Sequence, residues 1–233
     1  MSTMLVTGVT GGLGRAIADK FISQGWTVIG LARNDRDLMQ MKSQLGSSFF
    51  PFSVDVSRAD EVSKSFELIS SKFPKLDVLI NNAAIFKLAS FDKCSVDDID
   101  KIIDTNLKGP MYCAYFAMKV LNFSSGRMIN ISSVAGTHGI KHQSIYCASK
   151  FGLEGFGESL GQELQAQGIS ITTISPGGID TPLWSEISNP YPGEDKNNLM
   201  KPRDIVRIIE RITELPSNVV LKSVIVFPSN EWH

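Results

Sequence analysis

The sequence predicts an α/β fold, a single domain in which helices cover both faces of a doubly wound parallel sheet. Three observations carry that expectation. Short apolar runs alternate with helical apolar stripes along the chain, with no linker, internal repeat or composition shift. A glycine-rich loop joins the first apolar run to the first stripe. The stretch Leu76 to Ile80 reads as an apolar strand of the kind buried on both faces.

Taken in order, Met4-Leu5-Val6 is a short strand that stops at Thr7-Gly8. The loop Thr7-Gly8-Val9-Thr10-Gly11-Gly12-Leu13-Gly14 follows, then a helical stripe at Leu13, Ile17 and Phe21. Strand, glycine loop and helix in that order form a phosphate cradle. Glycines allow the tight turn and close backbone approach, and the helix start offers unpaired N–H groups to a pyrophosphate. The spacing departs from GxGxxG, because Ile17 stands where the last small residue belongs. Thr27 to Leu31 is a second strand, ending at Ala32-Arg33-Asn34, and Phe49 to Val54 is a third, ending at Asp55. A helix with Val62, Phe66, Ile69 and Phe73 on one face precedes the Leu76 strand, which breaks at Asn81-Asn82-Ala83-Ala84. A helical tract from about Val96 to Leu121 has Ile99, Ile102, Ile103 and Leu107 as its buried stripe. Pro110 lies within it and removes a backbone donor, so a kink is expected just before it, near Asn106.

Met128 to Ile131 is the next strand, followed by a helix with Leu153, Phe156, Leu160 and Leu164 inward and Gly168 at its C-terminus. Ile169 to Ile174 is a strand halted by Pro176-Gly177-Gly178. The stretch from Pro182 to Pro202 has four prolines and little periodicity, and reads as a loop or a substrate lid at about 183–201. A last helix carries Ile205, Ile208, Ile209 and Ile212, and Ser223 to Phe227 closes the sheet.

Composition narrows the function. The 233 residues carry 23 basic and 24 acidic side chains with no basic block, which argues against nucleic acid or a membrane surface as partner. Cys94, Cys113 and Cys147 have no paired spacing, and the histidines are not arranged for a metal. Scattered thiols, a first strand that begins at once and no membrane-length apolar run lead to the expectation of a cytoplasmic protein.

Tyr146 and Lys150 are one helical turn apart, so both side chains leave the same face. A nearby ammonium lowers the pKa of a phenol and fits it for acid–base work. Ser133 lies at the end of the Met128–Ile131 strand, where an open α/β sheet builds its active site. The tyrosine–lysine spacing alone is equally that of an amphipathic helix with a solvated lysine.

With the glycine loop, Asp55, Asn81–Ala84, Asn106, Ser133, Tyr146, Lys150 and Pro176-Gly177 in order, the sequence resembles the short-chain dehydrogenase/reductase family from residue 3 to about 182. That resemblance implies a Rossmann-type fold, NADP(H) as cofactor and hydride transfer to or from a ketone, aldehyde or secondary alcohol. It implies Tyr146 as general acid or base and Ser133 as the hydrogen-bond partner of the carbonyl oxygen. Lys150 would bind the nicotinamide ribose and depress the Tyr146 pKa, and Asn106 would hold the kinked helix open around a proton-carrying water. Gly8, Thr10, Gly12, Leu13 and Gly14 would form the phosphate cradle. Asn82 and Ala83 would line the adenosine ribose, Asp55 and Val56 the adenine, and Pro176, Gly177, Ile179 and Thr181 the nicotinamide. Arg33, in place of the acid an NAD site would want, would meet a 2′-phosphate.

Some alternatives stay open. Asn106 is also a possible helix-capping residue, and Asp55 a cap for the helix after it. Cys147 reads as a buried, inert thiol, and His138 and His142 as solvated loop residues, with contact to substrate the less favoured alternative. Two departures from the family stand out: Ala84 replaces a glycine, and Gly11 stands where many NADP-using members carry a cation. Trp184, Ile187, Tyr191, Leu199 and Met200, with Ile85 and Phe86, suggest an apolar pocket for a small-molecule carbonyl or alcohol. Family likeness implies a homodimer or homotetramer. The rival readings are a non-catalytic dinucleotide-binding regulator, a 3-oxoacyl or 3-hydroxy acid oxidoreductase, and a sugar-nucleotide epimerase, for which the chain is short.

Overall fold

The computed structural model describes residues 2–184 and 199–229. The lid assigned to about 183–201 therefore falls mostly outside the described residues, as do Ile187 and Tyr191. Seven strands form one parallel sheet: β1 (Thr3–Thr7), β2 (Thr27–Ala32), β3 (Phe49–Ser53), β4 (Val78–Asn81), β5 (Arg127–Ile131), β6 (Ser170–Pro176) and β7 (Ser223–Val226). Their spatial order is β3-β2-β1-β4-β5-β6-β7. The helices are α1 (Gly12–Ser23), α2 (Asp35–Leu45), α3 (Ala59–Lys72), α4 (Val96–Ile103), α5 (Gly109–Ala117), α6 (Ser144–Leu164) and α7 (Pro202–Glu214).

The inner strands are buried on both faces, as their apolar sequences require: Met4, Leu5, Val6, Leu79 and Ile80 have no exposed surface. One core lies between the sheet and α1, α2 and α7, built on Ile17, Phe21, Leu38 and Ile209. The other packs Val62 and Ile69 of α3, Cys113 and Ala117 of α5 and Leu164 of α6 against the opposite face. Each fully buried aliphatic side chain contributes about 1.5–3 kcal/mol. Both faces of the sheet therefore contribute to holding the strand tips in place.

Several sequence expectations need correction. Helix α2 has no counterpart in them, because a mostly polar segment supplies only Leu38 and Met41 as buried residues. Asn34 starts it by accepting from the Arg36 and Asp37 N–H groups. Asp77 interrupts the Leu76–Ile80 run, so β4 begins at Val78, and the Asp77 carboxylate instead accepts from Thr3 N at 2.8 Å. Pro176 does not halt β6 but ends it from inside, where the missing N–H costs least.

The long tract is two helices joined by a single π-turn, Asp104–Lys108, with Gly109 N–H donating to the Asp104 carbonyl. Pro110 stands in the first turn of α5, just after the π-turn, and its missing N–H falls at the break in the ladder. Asn106 thus sits at the break, as the proline predicts. α5 stops at Ala117, and Leu121 bridges instead to Leu76. Only Ile102 of the expected stripe is buried; Ile99, Ile103 and Leu107 are half-buried. The outer side of this layer carries Val96, Tyr115 and Phe151 exposed.

Candidate active site

The chain leaves β1 and β4, adjacent in the sheet, in opposite directions, which opens a crevice at their C-terminal ends. Gly8 turns the chain there at φ +63°, and a Cβ on it would lie 2.8 Å from the Ala83 Cα. A Cβ on Gly14 would lie 2.3 Å from the Gly8 carbonyl oxygen. Gly14 therefore serves close packing beneath the loop and does not line the crevice, as the sequence reading had it. Thr7, which that reading passed over, ties the two strand tips together. Its Oγ1 accepts from Asn82 N at 2.9 Å and Ala83 N at 3.0 Å. The Asn82 amide donates in turn to the carbonyls of Thr7 and Gly8, at 2.9 and 3.2 Å.

A cavity of about 350 Å³ follows the crevice. Gly8, Thr10, Gly12 and Leu13 line it at the start of α1. That helix has no side-chain cap and no acid in its first turn, so its N–H groups and positive dipole end face the cavity unneutralised. Ala32, Arg33, Asp55, Val56, Asn82 and Ala83 line the cavity beyond the C-terminal ends of β2, β3 and β4. Arg33 is exposed and makes no ion pair among the described residues. Asp55 faces the cavity, and its Oδ1 accepts from Ser57 N and Ser57 Oγ at 3.0 and 2.7 Å; it does not cap α3, which starts from Arg58 without a side-chain cap. At the other end stand Ser133, Tyr146, Lys150, Pro176, Gly177, Ile179 and Thr181. The bare glycine turn, the uncapped helix and the length of the cavity fit a dinucleotide.

Tyr146, Ser133 and Lys150 converge as the spacing predicts. The Ser133 hydroxyl hydrogen-bonds the Tyr146 phenol, and its oxygen also accepts from Ala135 N at 3.2 Å. Ser132 lines the cavity too, but its hydroxyl turns to the Lys150 carbonyl. Lys150 Nζ donates to the Ile131 carbonyl at 2.9 Å and lies 5.6 Å from the centre of the Tyr146 ring. Phe86 meets the same ring edge-on, centroids 4.8 Å apart.

The electrostatics differ from the expectation. Burial pushes the Tyr146 phenol above its ordinary range, and the Ser133 hydrogen bond only partly opposes this. Burial lowers Lys150 to about 8, against the pull of Glu154. Desolvation is the dominant cause at both groups. The phenol is held as an acid.

Asn106 is fully buried and does not line the cavity. Its Oδ1 accepts from Ile85 N at 2.8 Å, and its Nδ2 donates to the Ile85 carbonyl at 2.9 Å and to Ser149 Oγ at 3.2 Å. It caps no helix. It clamps the loop after β4 to the π-turn and to α6. Cys147 is buried and accepts from Ile140 N at 3.4 Å, which pins the loop between Ser133 and α6.

A dinucleotide-type cradle that opens onto a serine, a tyrosine and a lysine defines a class, the short-chain oxidoreductases. The chain belongs to the short-chain dehydrogenase family, whose model, described as short chain dehydrogenase, matches residues 2–192. It is 36% identical over 190 residues to a 3beta-hydroxysteroid dehydrogenase of Mediterraneibacter gnavus, covering 79% of this chain and 68% of that one. An uncharacterised oxidoreductase of Staphylococcus aureus is 32% identical over 96% of both chains. Among solved structures, a closed serine dehydrogenase complexed with NADP+ has a TM-score of 0.90 at 26% identity, over 99% of this chain and 96% of that one. A glucose/ribitol dehydrogenase-type member from Brucella melitensis scores 0.91 at 26% identity, over 100% and 97%. The protein is an oxidoreductase of this family. No helix among its described residues is long and apolar enough to cross a membrane.

Proposed function

We propose that the protein is an NADP(H)-dependent carbonyl reductase or alcohol dehydrogenase acting on an apolar ketone, aldehyde or secondary alcohol. The observation that carries this reading is the meeting of Ser133, Tyr146 and Lys150 at one end of a cavity whose other end is the glycine cradle. When bound, NADP(H) supplies or takes up the hydride. Gly8, Thr10, Gly12 and Leu13 would hold its phosphates, Arg33 its 2′-phosphate, Asp55, Val56, Asn82 and Ala83 its adenosine, and Pro176, Gly177, Ile179 and Thr181 its nicotinamide.

Tyr146 gives its hydroxyl proton to the carbonyl oxygen in reduction and takes it back in oxidation. Its raised pKa keeps that proton in place across neutral pH. Ser133 donates to the same oxygen and meets the charge that develops there with a donor already in position. Lys150 holds the ribose and keeps a positive charge beside the phenol. Asn106 fixes the loop that carries Ile85 and Phe86, and so the wall facing Tyr146. Phe86 on the phenol, with Ile85 and Leu183 along the cavity, supports an apolar substrate over a charged one.

The half-buried and exposed apolar residues on α4, α5 and α6, among them Ile99, Ile103, Tyr115 and Phe151, support a homodimer or homotetramer through that layer. A cytoplasmic location agrees with three free cysteines. The test is NADPH loss at 340 nm (roughly its absorbance maximum) with a panel of steroid, aromatic and aliphatic ketones, 3-oxoacyl esters and 3-hydroxy acids. Turnover of the apolar ketones is the expected result. Turnover of none, with NADPH still bound, would make the protein a dinucleotide-binding regulator.

A further inference from the structure

Glu154 lies one helical turn beyond Lys150 on α6, on the same face. Its carboxylate accepts the hydrogen bond of the Ser175 hydroxyl, a group with no solvent exposure that sits immediately before Pro176. That bond tethers the carboxylate toward the sheet and keeps it from swinging out. Gly136 lets the turn after Ser133 close over this part of the helix. A Cβ on it would lie 2.8 Å from Ser132 Oγ, 3.0 Å from the Lys150 carbonyl and 3.1 Å from Glu154 Cγ.

Lys150 itself is 2% exposed and makes one hydrogen bond, to Ile131, among the described residues. A buried ammonium with so few acceptors is costly to keep charged. The other acids near this end of the sheet are engaged elsewhere: Asp55 with Ser57, Asp104 with Lys108 and Asp180 with Lys201. Glu154 is the charge that acts on Lys150, and it opposes the burial.

We infer that Glu154 is a positioning residue that keeps Lys150 in its ammonium form, held at the required place by Ser175. The inference rests on the reading of Lys150 as part of the catalytic set. Glu154 also lines a second cavity of about 660 Å³ between α6 and the β6–β7 edge, where Glu158 and Lys222 face it. The charge supporting the catalytic lysine is therefore open to ions on the side away from substrate.

The test is the titration of the Lys150 side chain in the cofactor-free protein, followed by its 13Cε resonance. The native protein is compared with Glu154→Gln, which keeps an acceptor for Ser175 and removes the charge. Glu154→Gln should lower the midpoint by about one pH unit, a tenfold loss of ammonium at a given pH, and Glu154→Asp should restore part of it. The alkaline limb of kcat/KM should move down with the midpoint. An unchanged midpoint in folded Glu154→Gln overturns the inference. If that variant does not fold, Ser175→Ala takes its place; releasing the carboxylate should lower the midpoint, and no change there overturns the inference equally. The titration needs no turnover. A shifted midpoint in a protein inactive on every carbonyl would support Glu154's role and overturn the proposed reaction instead.

Discussion

Replacing Asn106 with Ala removes a clamp whose cost can be worked from its partners. Three hydrogen bonds disappear: from Ile85 N, to the Ile85 carbonyl and to Ser149 Oγ. Ser149 keeps its bond to the Tyr146 carbonyl at 2.7 Å, so it is not left without a partner. The two backbone groups of Ile85 are. An unsatisfied buried polar group costs about 1–3 kcal/mol, and Ile85 is only half-buried, so the lower part of that range applies to each. The sum is about 2–3 kcal/mol. For a chain of this size, 1 kcal/mol moves Tm by about 2–4 °C, so a fall of roughly 5–10 °C is expected in a thermal melt followed by circular dichroism. Turnover should fall as well, because Ile85 carries Phe86 to the edge of the Tyr146 ring. A melt within about 2 °C of the native protein would show that the loop does not depend on Asn106.

Three further outcomes follow from the site. Tyr146→Phe should lose about a hundredfold or more in turnover while NADPH affinity, read by fluorescence titration, stays nearly constant; unchanged reduction rates would remove the residue from the chemistry. Arg33→Ala should erase most of a roughly tenfold preference for NADPH over NADH in kcat/KM, and Ala32→Asp should reverse it; equal use of both cofactors by the native protein refutes the role of Arg33. The buried lysine gives a pH signature. Lys150 titrates at about 8 when folded and near 10.4 when unfolded, so the unfolded chain binds more protons between those values. This group's penalty is full below pH ~8 and fades as pH rises toward ~10.4. Lys150→Met should be the more stable protein at pH ~7, with the gap in Tm narrowing by pH ~10; a gap that stays constant with pH would contradict the buried charge.

The strands could be read because each is a short apolar run between turn residues, and burial on both faces leaves that pattern plain. Helix α2 could not, since two buried residues on a polar helix give no stripe. Ser133, Tyr146 and Lys150 were legible because helix and strand geometry convert their spacing into proximity. Pro110 placed the break in the long tract but said nothing of its π form or of what Asn106 touches. Ile85 lies 21 residues away in sequence, and no local pattern reports such a contact. The burial of the Tyr146 phenol is hidden for a related reason: a neighbouring charge is visible in a sequence, while depth of burial is not.

The π-turn at Asp104–Lys108 means that the chain carries one residue more in this stretch than a regular helix would need. That surplus is a matter of phase. It rotates α5 relative to α4, so that Cys113, Ala114 and Ala117 meet the sheet while Ile102 faces elsewhere. Removing a single residue here would restore a regular helix and turn α4 and Asn106 by about 100° relative to the seated α5. Asn106 would then point away from Ile85, and Ile102 would leave its buried place with it. A one-residue deletion here is expected to cost the site and part of the packing of α4 together.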